Sequence, residues 1–199
     1  MFTGIITDIG ELSEIKKSDK NDTFIGINTK WNENFNIGSS ICCNGVCLTV
    51  VTKKIDYFGV ELSSETISKT NFQYMNLNDK INLEKSLKIG DELGGHNVTG
   101  HVDGMAKLSN IMKIKSSFEL WFEVSESIII FLAEKGSITL NGVSLTINHI
   151  DNNLFSVNII NHTWENTNLS SYKIGSFMNL EVDIISRYVS RHTKNYIKL

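Results

Sequence analysis

Asn44-Gly45-Val46-Cys47-Leu48-Thr49 and Asn141-Gly142-Val143-Ser144-Leu145-Thr146 are the two stretches that decide the fold of this 199-residue chain. They lie 97 positions apart, and the same shift aligns residues 40–84 with residues 137–181 without a gap. The two segments share 15 identical residues over these 45 positions, whereas unrelated segments would share roughly three at ordinary residue frequencies. The chain therefore contains one structural module twice.

Each module is predicted to be mainly β. An Asn-Gly pair between two short apolar stretches is the strongest local signal for a β-hairpin. Downstream of each pair, Val60-Glu61-Leu62-Ser63 and Val157-Asn158-Ile159 alternate at strand length. Strands separated by turn signals in a unit of this size predict a small barrel or a sandwich. A short helix is predicted to begin near Ser125 and to end before Gly136.

The junction between the modules is predicted around Gly90, Gly94 and Gly95, which loosen the chain. We divide the sequence into residues 1–97, residues 98–183 and a terminal segment, residues 184–199, that has no counterpart in the first module. The apolar residues of this segment include three at helical spacing, which predicts an amphipathic helix that packs either on another subunit or on its own barrel. They are Ile184, Ile185, Tyr188, Val189, Tyr196, Ile197 and Leu199.

Composition excludes several classes of protein. A net charge of -3 and a pI near 6.0 disfavour a nucleic-acid surface, which needs a basic footprint. The longest apolar run, residues 128–133, is far shorter than the roughly 20 residues of a membrane span, and the first residues lack a secretory signal. Cys42, Cys43 and Cys47 are crowded together, which favours free thiols in the cytoplasm. Together with His96 and His101, they match no zinc-ligand spacing, so no metal site is predicted.

Three further motifs complete the pattern. The chain opens Met1-Phe2-Thr3-Gly4-Ile5-Ile6, carries Gly94-Gly95-His96-Asn97-Val98-Thr99-Gly100-His101-Val102 in its middle, and ends its second module with Asn179-Leu180-Glu181-Val182-Asp183. Each motif alone is weakly specific. In this order and spacing, together with the duplication, they resemble the riboflavin synthase family (α chain, lumazine-binding repeats) along essentially the whole chain.

The resemblance implies a mainly β fold of two tandem six-stranded antiparallel Greek-key barrels followed by a C-terminal α-helix, assembled as a homotrimer. It implies an enzyme of riboflavin biosynthesis, a transferase that converts two 6,7-dimethyl-8-ribityllumazine molecules into riboflavin and 5-amino-6-ribitylamino-pyrimidinedione by four-carbon transfer, without cofactor or metal. Two lumazines would form one productive site, where the first barrel of one subunit faces the second barrel of another. Association with lumazine synthase is left open.

The resemblance also supplies candidate site residues. The catalytic polar set is Cys47, His101, Ser144, Thr146 and Asp183, with Ser40 nearby. Substrate contacts map to Gly4, Ile5, Ile6, Cys47, Leu48, Thr49, Glu61, Leu62, Ser63, Ser64, Glu65, Thr66, Gly100, His101, Val102, Lys135, Ser144, Leu145, Thr146, Asn158, Ile159, Ile160, Asn161, His162 and Thr163. The modules differ where Cys47 aligns with Ser144, Ile5 with His101 and Ser86 with Asp183.

Each polar candidate also has a structural interpretation. A strand cysteine such as Cys47 is more often a small buried hydrophobe, and His101 alone would more often be a structural histidine. Asp183 stands where it could cap the terminal helix, and Thr146 could be ordinary strand sequence. A non-catalytic lumazine- or flavin-binding protein with the same barrels is the alternative function.

The sequence departs from the family pattern at two positions. Ser64 and Asn161 stand where the family has proline, before the pairs Glu65-Thr66 and His162-Thr163, and the chain has no proline at all. The replacements free φ and restore a backbone donor beside each ligand. They put the detailed contacts in question, and not the fold.

Overall fold

The structure is a computed structural model that describes residues 1–17, 22–31 and 35–196, with side chains as far as residue 193 in the last helix. The first half forms one closed antiparallel barrel in the order β1-β2-β5-β4-β3-β6. Its strands are β1 (Asp8–Lys17), β2 (Thr23–Asn28), β3 (Ser40–Cys43), β4 (Val46–Lys54), β5 (Tyr57–Leu62) and β6 (Lys80–Lys85).

The second half repeats this architecture. Its strands are β7 (Gly104–Ile114), β8 (Ser117–Glu123), β9 (Ser137–Leu140), β10 (Val143–Asp151), β11 (Leu154–Ile160) and β12 (Phe177–Val182). They close a second barrel in the order β10-β11-β8-β7-β12-β9, which is the order of the first barrel with each strand replaced by its counterpart. The predicted fold class, two six-stranded antiparallel barrels and a C-terminal helix, is confirmed.

Each barrel encloses its own apolar core. In β5 the side chains of Phe58, Val60 and Leu62 are buried while Glu61 between them is exposed, as period-two alternation requires. Phe155 and Val157 fill the equivalent places in β11. Burying a side chain of this size contributes roughly 1.5–3 kcal/mol, so the duplicated apolar pattern stabilises two separate cores.

The Asn-Gly pairs form the predicted hairpin turns. Asn44 and Gly45 have φ of 48° and 83°, and Asn141 and Gly142 have φ of 47° and 78°. Positive φ at both central residues is the type I′ turn, whose twist matches the flanking strands. The pairs connect β3 to β4 and β9 to β10 with no further residues.

The two segments predicted to contact the substrate, residues 61–66 and 158–163, begin in strands and continue as helices. β5 stops at Leu62 and β11 at Ile160, and the helices α1 (Ser64–Lys69) and α3 (Asn161–Glu165) follow at once. Ser64 and Asn161, the positions where proline was expected, are the first residues of these helices. Proline is favoured there because the first helical N–H has no intrahelical partner. A proline-free chain therefore keeps the same geometry at little cost.

The remaining α-helices are α2 (Glu126–Ile129) and α4 (Ile184–Tyr196), the predicted terminal helix. α2 begins after Ser125 as predicted, but it is a single turn that ends at Ile129, short of the predicted end before Gly136. Two 3-10 helices, Asn71–Tyr74 and Asn168–Ser171, lie before β6 and β12. Ile185 and Val189 are 64% and 55% exposed on α4. The side chain of Tyr196, and Ile197 and Leu199, lie outside the described residues. Among the described residues, no helix is long and apolar enough to cross a membrane.

Candidate functional site

The two Asn-Gly turns meet where the barrels touch. A side chain on Gly45 would lie 2.8 Å from the backbone nitrogen of Gly142, and a side chain on Gly142 would lie 2.8 Å from the nitrogen of Gly45. Carbon cannot approach a neighbouring backbone that closely. Gly45 and Gly142 are therefore required for two reasons: the positive φ of the turn and the close contact between the barrels.

Repeated asparagines hold this junction together. Asn44 Oδ1 accepts the Asn82 N–H at 2.8 Å, and Asn82 Nδ2 donates across the junction to the Asn141 carbonyl at 3.0 Å. The second barrel makes the equivalent bonds at 2.9 and 2.8 Å. The three repeated pairs, Asn44 with Asn141, Asn71 with Asn168 and Asn82 with Asn179, are all buried. Their repetition reflects the junction, because buried amides need partners.

Each barrel sends an arm to the other. The N-terminal arm, residues 1–7, is anchored on the first barrel, where the carboxylate of Glu84 accepts both N–H groups of Thr3 and Gly4, at 2.6 and 3.0 Å, and the Thr3 hydroxyl at 2.7 Å. The carbonyl of Gly4 then accepts the Ser144 N–H of the second barrel at 2.8 Å. Burial raises the pKa of Glu84, against the effect of these hydrogen bonds.

The linker arm, residues 96–103, does the reverse. The carboxylate of Glu181 in the second barrel accepts the N–H groups of Thr99 and Gly100, at 2.8 and 2.9 Å. The carbonyl of Gly100 accepts the Cys47 N–H of the first barrel at 2.9 Å. Val102, further along the same arm, packs on the first core. Each arm is therefore anchored by one barrel and delivered to the other.

The arms sort the predicted contact residues into two sites. The antiparallel register, with Val50 opposite Val60, brings the Cys47 end of β4 to the Leu62 end of β5. The predicted contact residues that lie here, which we call the first-barrel site, are Cys47, Leu48, Thr49, Glu61, Leu62, Ser63, Ser64, Glu65, Thr66 and the linker-arm residues Gly100, His101 and Val102. Ser40 lies beside it, opposite Thr49.

The second-barrel site is its counterpart. The register of β10 and β11, with Ile147 opposite Val157, brings the Ser144 end of β10 to the Ile160 end of β11. Ile6 of the N-terminal arm packs on this core, and the Lys135 N–H donates to the Ile147 carbonyl at 2.8 Å. The predicted contact residues that lie here, which we call the second-barrel site, are Ser144, Leu145, Thr146, Asn158, Ile159, Ile160, Asn161, His162 and Thr163, with Gly4 and Ile6 of the arm and Lys135 at the edge. The Ile5 side chain instead lines a cavity with Trp31 and Glu84 of the first half.

His96, which is not among the site residues predicted from the sequence, lies against Ser144 of the second-barrel site. The ring atom Nδ1 of His96 lies 2.7 Å from Ser144 Oγ. The backbone N–H of His96 donates to the Thr3 carbonyl at 3.1 Å. Burial lowers the pKa of His96, while the carboxylates of Asp183 and Glu181 act against that shift. A largely neutral imidazole in contact with a hydroxyl can take or deliver a proton.

A sequence signal for this contact exists in the residue before it. A side chain on Gly95 would overlap the Thr3 carbonyl and lie 2.8 Å from Ser144 Cβ. The glycine before His96 therefore allows the backbone to lie close to Ser144 of the second-barrel site.

Asp183 and His101 both lie beside the terminal helix α4. The Asp183 carboxylate accepts the Ile185 N–H at 2.9 Å, so Asp183 does cap α4, and its charge also acts on His96. The His101 side chain is exposed, and its carbonyl accepts a hydrogen bond from Arg187 of α4 at 3.0 Å. Arg187 also pairs with Asp103 at 2.8 Å. α4 is therefore tied to the linker arm of the first-barrel site.

The cysteines are free thiols, as predicted. Burial raises the pKa of both Cys42 and Cys43, whereas Cys47 is half-buried beside the linker arm. Among the described residues, no group of three or more His, Cys, Asp or Glu side chains is arranged to hold a metal ion.

Comparison with known proteins places this arrangement in a family. The profile of the lumazine binding domain matches the chain twice, at residues 3–86 and 99–183. The chain belongs to the lumazine binding domain family. Each matched segment contains one complete barrel and most of the arm that precedes it.

Individual relatives cover almost the whole chain. Riboflavin synthase of Brucella abortus (strain 2308) is 40% identical over 197 residues, 96% of this chain and 97% of its own. Riboflavin synthase of Photobacterium phosphoreum is 38% identical over 192 residues, 96% of this chain and 88% of its own. The crystal structure of LumP complexed with 6,7-dimethyl-8-(1'-D-ribityl) lumazine superimposes with a TM-score of 0.83 and 27% identity, over 92% of this chain and 99% of that one.

Proposed function

We propose that this protein is a riboflavin synthase, a transferase that converts two 6,7-dimethyl-8-ribityllumazine molecules into riboflavin and 5-amino-6-ribitylamino-pyrimidinedione. The observation that carries the proposal is the pair of equivalent sites with different chemistry at one position, Cys47 in the first and Ser144 in the second. Full-length relatives at 38–40% identity bear the name of this enzyme.

The reaction suits a site of this kind. The conjugated lumazine ring acidifies its own C7 methyl protons and accepts a nucleophile at C7, so the substrate serves as its own electron sink. The protein has to hold two copies in register, and positioning alone can be worth about 7–11 kcal/mol. We propose that one lumazine binds in each of the two sites defined above, without a metal or an organic cofactor.

We propose that small differences between the sites give the two lumazines unequal roles. In the second-barrel site we assign His96 and Ser144 to proton transfer, because His96 Nδ1 lies 2.7 Å from the Ser144 hydroxyl and burial lowers the pKa of the imidazole. In the first-barrel site we assign Cys47, with His101 on the adjoining arm, to the C7 region of the other lumazine. Thr146, Asp183 and Ser40 are the other members of the predicted polar set. We assign them to supporting the side chains that contact the two lumazines.

We further propose a homotrimer in which the first-barrel site of one subunit faces the second-barrel site of another. The exposed apolar side chains of α4, Ile185, Tyr188 and Val189, supply a surface for this assembly. Trimer formation and catalysis would be coupled through Arg187, which ties α4 to the linker arm. We place the enzyme in the cytoplasm, where three free thiols remain reduced, and leave association with lumazine synthase open.

The second candidate is a non-catalytic lumazine-binding protein, favoured by the similarity to LumP complexed with lumazine. Such a protein would share the barrels and most ligand contacts. It would have less need for the polar set around His96, Cys47 and Ser144.

Incubation of the purified chain with the lumazine in the presence of a chelator separates the two candidates. We expect riboflavin and the pyrimidinedione to form in equal amounts, because each turnover makes one of each. Binding of lumazine without any riboflavin would reject the enzyme and leave the binding protein.

A further inference from the structure

Cys42 and Cys47 lie directly opposite each other on the hairpin of β3 and β4. In a hairpin with a two-residue turn, the pair next to the turn is hydrogen-bonded and the following pair is not. Cys43 and Val46 form the first pair, so Cys42 and Cys47 form the second. Accordingly, the Cys47 N–H points away from β3 and donates to the Gly100 carbonyl.

This geometry brings the two side chains together. Cα atoms of a non-hydrogen-bonded pair are about 4.5 Å apart, within the ~4.4–6.8 Å that disulfides span. Cys47 packs against the cluster of Cys42, Phe2 and Val98, so both cysteines face the same side of the hairpin. Cys43 faces the opposite side and belongs to the core of the first barrel.

The two thiols differ in access. Cys42 is 1% exposed, whereas Cys47 is half-buried and adjoins the linker arm. A small reagent that enters the first-barrel site would therefore meet Cys47 first, and Cys42 would be the only thiol on the same face of the hairpin.

We propose that Cys42 and Cys47 are a modification site that a low-molecular-weight disulfide converts into a reversible intramolecular disulfide. The disulfide consumes the Cys47 thiol and should slow turnover by at least about tenfold, the loss also expected for Cys47→Ser, a consequence that rests on the proposed function. Intracellular disulfides are commonly transient and redox-sensing, which fits a pair placed at a substrate site.

The reaction has two exchange steps. The Cys47 thiolate attacks one sulfur of the reagent, forms a mixed disulfide, and releases one small thiolate. The Cys42 thiolate then attacks the Cys47 sulfur, forms the Cys42–Cys47 bond, and releases the second small thiol. Together the two protein thiols lose two protons and two electrons, which reduce the reagent to two small thiols.

Burial raises the pKa of Cys42, which keeps it slow towards reagents in solution. The second step relies on proximity, because a neighbouring sulfur acts at a very high effective concentration. Cys47 is therefore the attacking thiol and Cys42 the resolving thiol.

Oxidised glutathione applied to the native chain tests the proposal. We expect the intact mass to fall by two hydrogens. Trypsin leaves all three cysteines in one peptide, residues 31–53, and hydroxylamine then cleaves between Asn44 and Gly45. The two fragments should stay joined until a reductant is added. A chain that keeps one glutathionyl group and forms no internal bond overturns the proposal.

Two matched variants identify the partner of Cys47. Cys43→Ala should still form the internal disulfide, whereas Cys42→Ala should turn over normally when reduced and stop at a mixed disulfide on Cys47. If the internal disulfide still forms in Cys42→Ala and is lost in Cys43→Ala, the partner of Cys47 is Cys43, which overturns the proposal.

Activity supplies a separate readout. Turnover of the natural chain should fall in proportion to the oxidised fraction and return on reduction. Full turnover by the oxidised chain would overturn the claim that the disulfide slows the enzyme. If the reduced chain has no riboflavin synthase activity at all, the mass measurement still decides whether the pair forms, so the two proposals fail independently.

Discussion

His96 Nδ1 lies 2.7 Å from Ser144 Oγ, although the two residues are 48 positions apart and belong to different modules of the repeat. The contact exists because the chain passes the second-barrel site between its two halves, close enough that residue 95 must be glycine. His96 thus lies in the first module by sequence but contacts the second-barrel site.

His96→Gln should lower turnover by about 10²–10⁴, the range for loss of a positioned acid or base, while lumazine binding is retained. Glutamine can keep a hydrogen bond to Ser144 but cannot carry the proton. Steady-state rates and calorimetric titration with lumazine measure the two effects. His149→Gln is the control, because His149 is exposed on the outside of the second barrel. Equal turnover rates in His96→Gln and His149→Gln would show that His96 takes no part in catalysis.

The pH dependence of turnover should report His96. Burial disfavours the imidazolium and lowers the pKa of His96 below its usual 6.5, so the base form survives at lower pH than for an exposed histidine. Turnover should fall as the pH drops through this lowered pKa. Asp183→Asn removes a carboxylate that acts to raise the same pKa, so this acid limb should move to lower pH. A limb that stays in place or moves upward would contradict the assignment.

Cys47→Ser should keep the fold and lumazine binding and reduce turnover about tenfold, ~1.4 kcal/mol in the barrier. The sulfur is the main chemical difference between the two hairpins, so the change makes the donor and acceptor sites alike. Single-turnover formation of riboflavin is the measurement, and Cys43→Ala, which alters only the core of the first barrel, is the control. Turnover at the parent rate would make Cys47 a packing residue.

The arms should transmit substitutions to the opposite barrel. Glu84→Gln removes an acceptor from the buried anchor of the N-terminal arm and should destabilise the chain by about 1–3 kcal/mol. Because this arm supplies Gly4 to Ser144, lumazine binding should weaken at the second-barrel site. Glu181→Gln should weaken the first-barrel site instead.

Amide NMR signals of Ser144 and Cys47 during lumazine titration distinguish these two effects. Glu11→Gln, an exposed substitution on β1, is the control and should disturb neither signal. If Glu84→Gln weakens only the site in its own barrel, the arms do not carry the effect.

The apolar surface of α4 should control assembly. Ile185→Lys with Val189→Lys, or truncation after Asp183, should abolish the trimer, because each buried side chain would contribute roughly 1.5–3 kcal/mol against an association cost of about 4–15 kcal/mol. Each barrel should still fold and bind lumazine. Analytical ultracentrifugation measures the assembly, and Arg191→Ala, on another face of α4, is the control.

Activity should fall with the trimer and recover partly at high protein concentration. Full activity that does not depend on concentration, in a variant that sediments as a monomer, would refute a site between subunits.

Local features of the fold were accessible from the sequence. The turns at Asn44-Gly45 and Asn141-Gly142 follow from the positive φ that these residues tolerate, and the strands follow from alternation with period two. The terminal helix follows from the spacing of Ile185 and Val189. Each of these signals lies within a few residues of the element it predicts, so the repeat, the β class and α4 needed no knowledge of packing.

The distribution of the site residues was decided by the tertiary structure. The sequence places Gly4 in the first module and Gly100 in the second, yet the carbonyl of Gly4 meets Ser144 and that of Gly100 meets Cys47. A repeat shows which residues are equivalent but not whether an arm serves its own barrel or the other one. That choice depends on the carboxylate anchors of the arms and on the buried amide bonds across the junction. These bonds bring together groups 80 to 135 residues apart, and no local pattern in the chain records them.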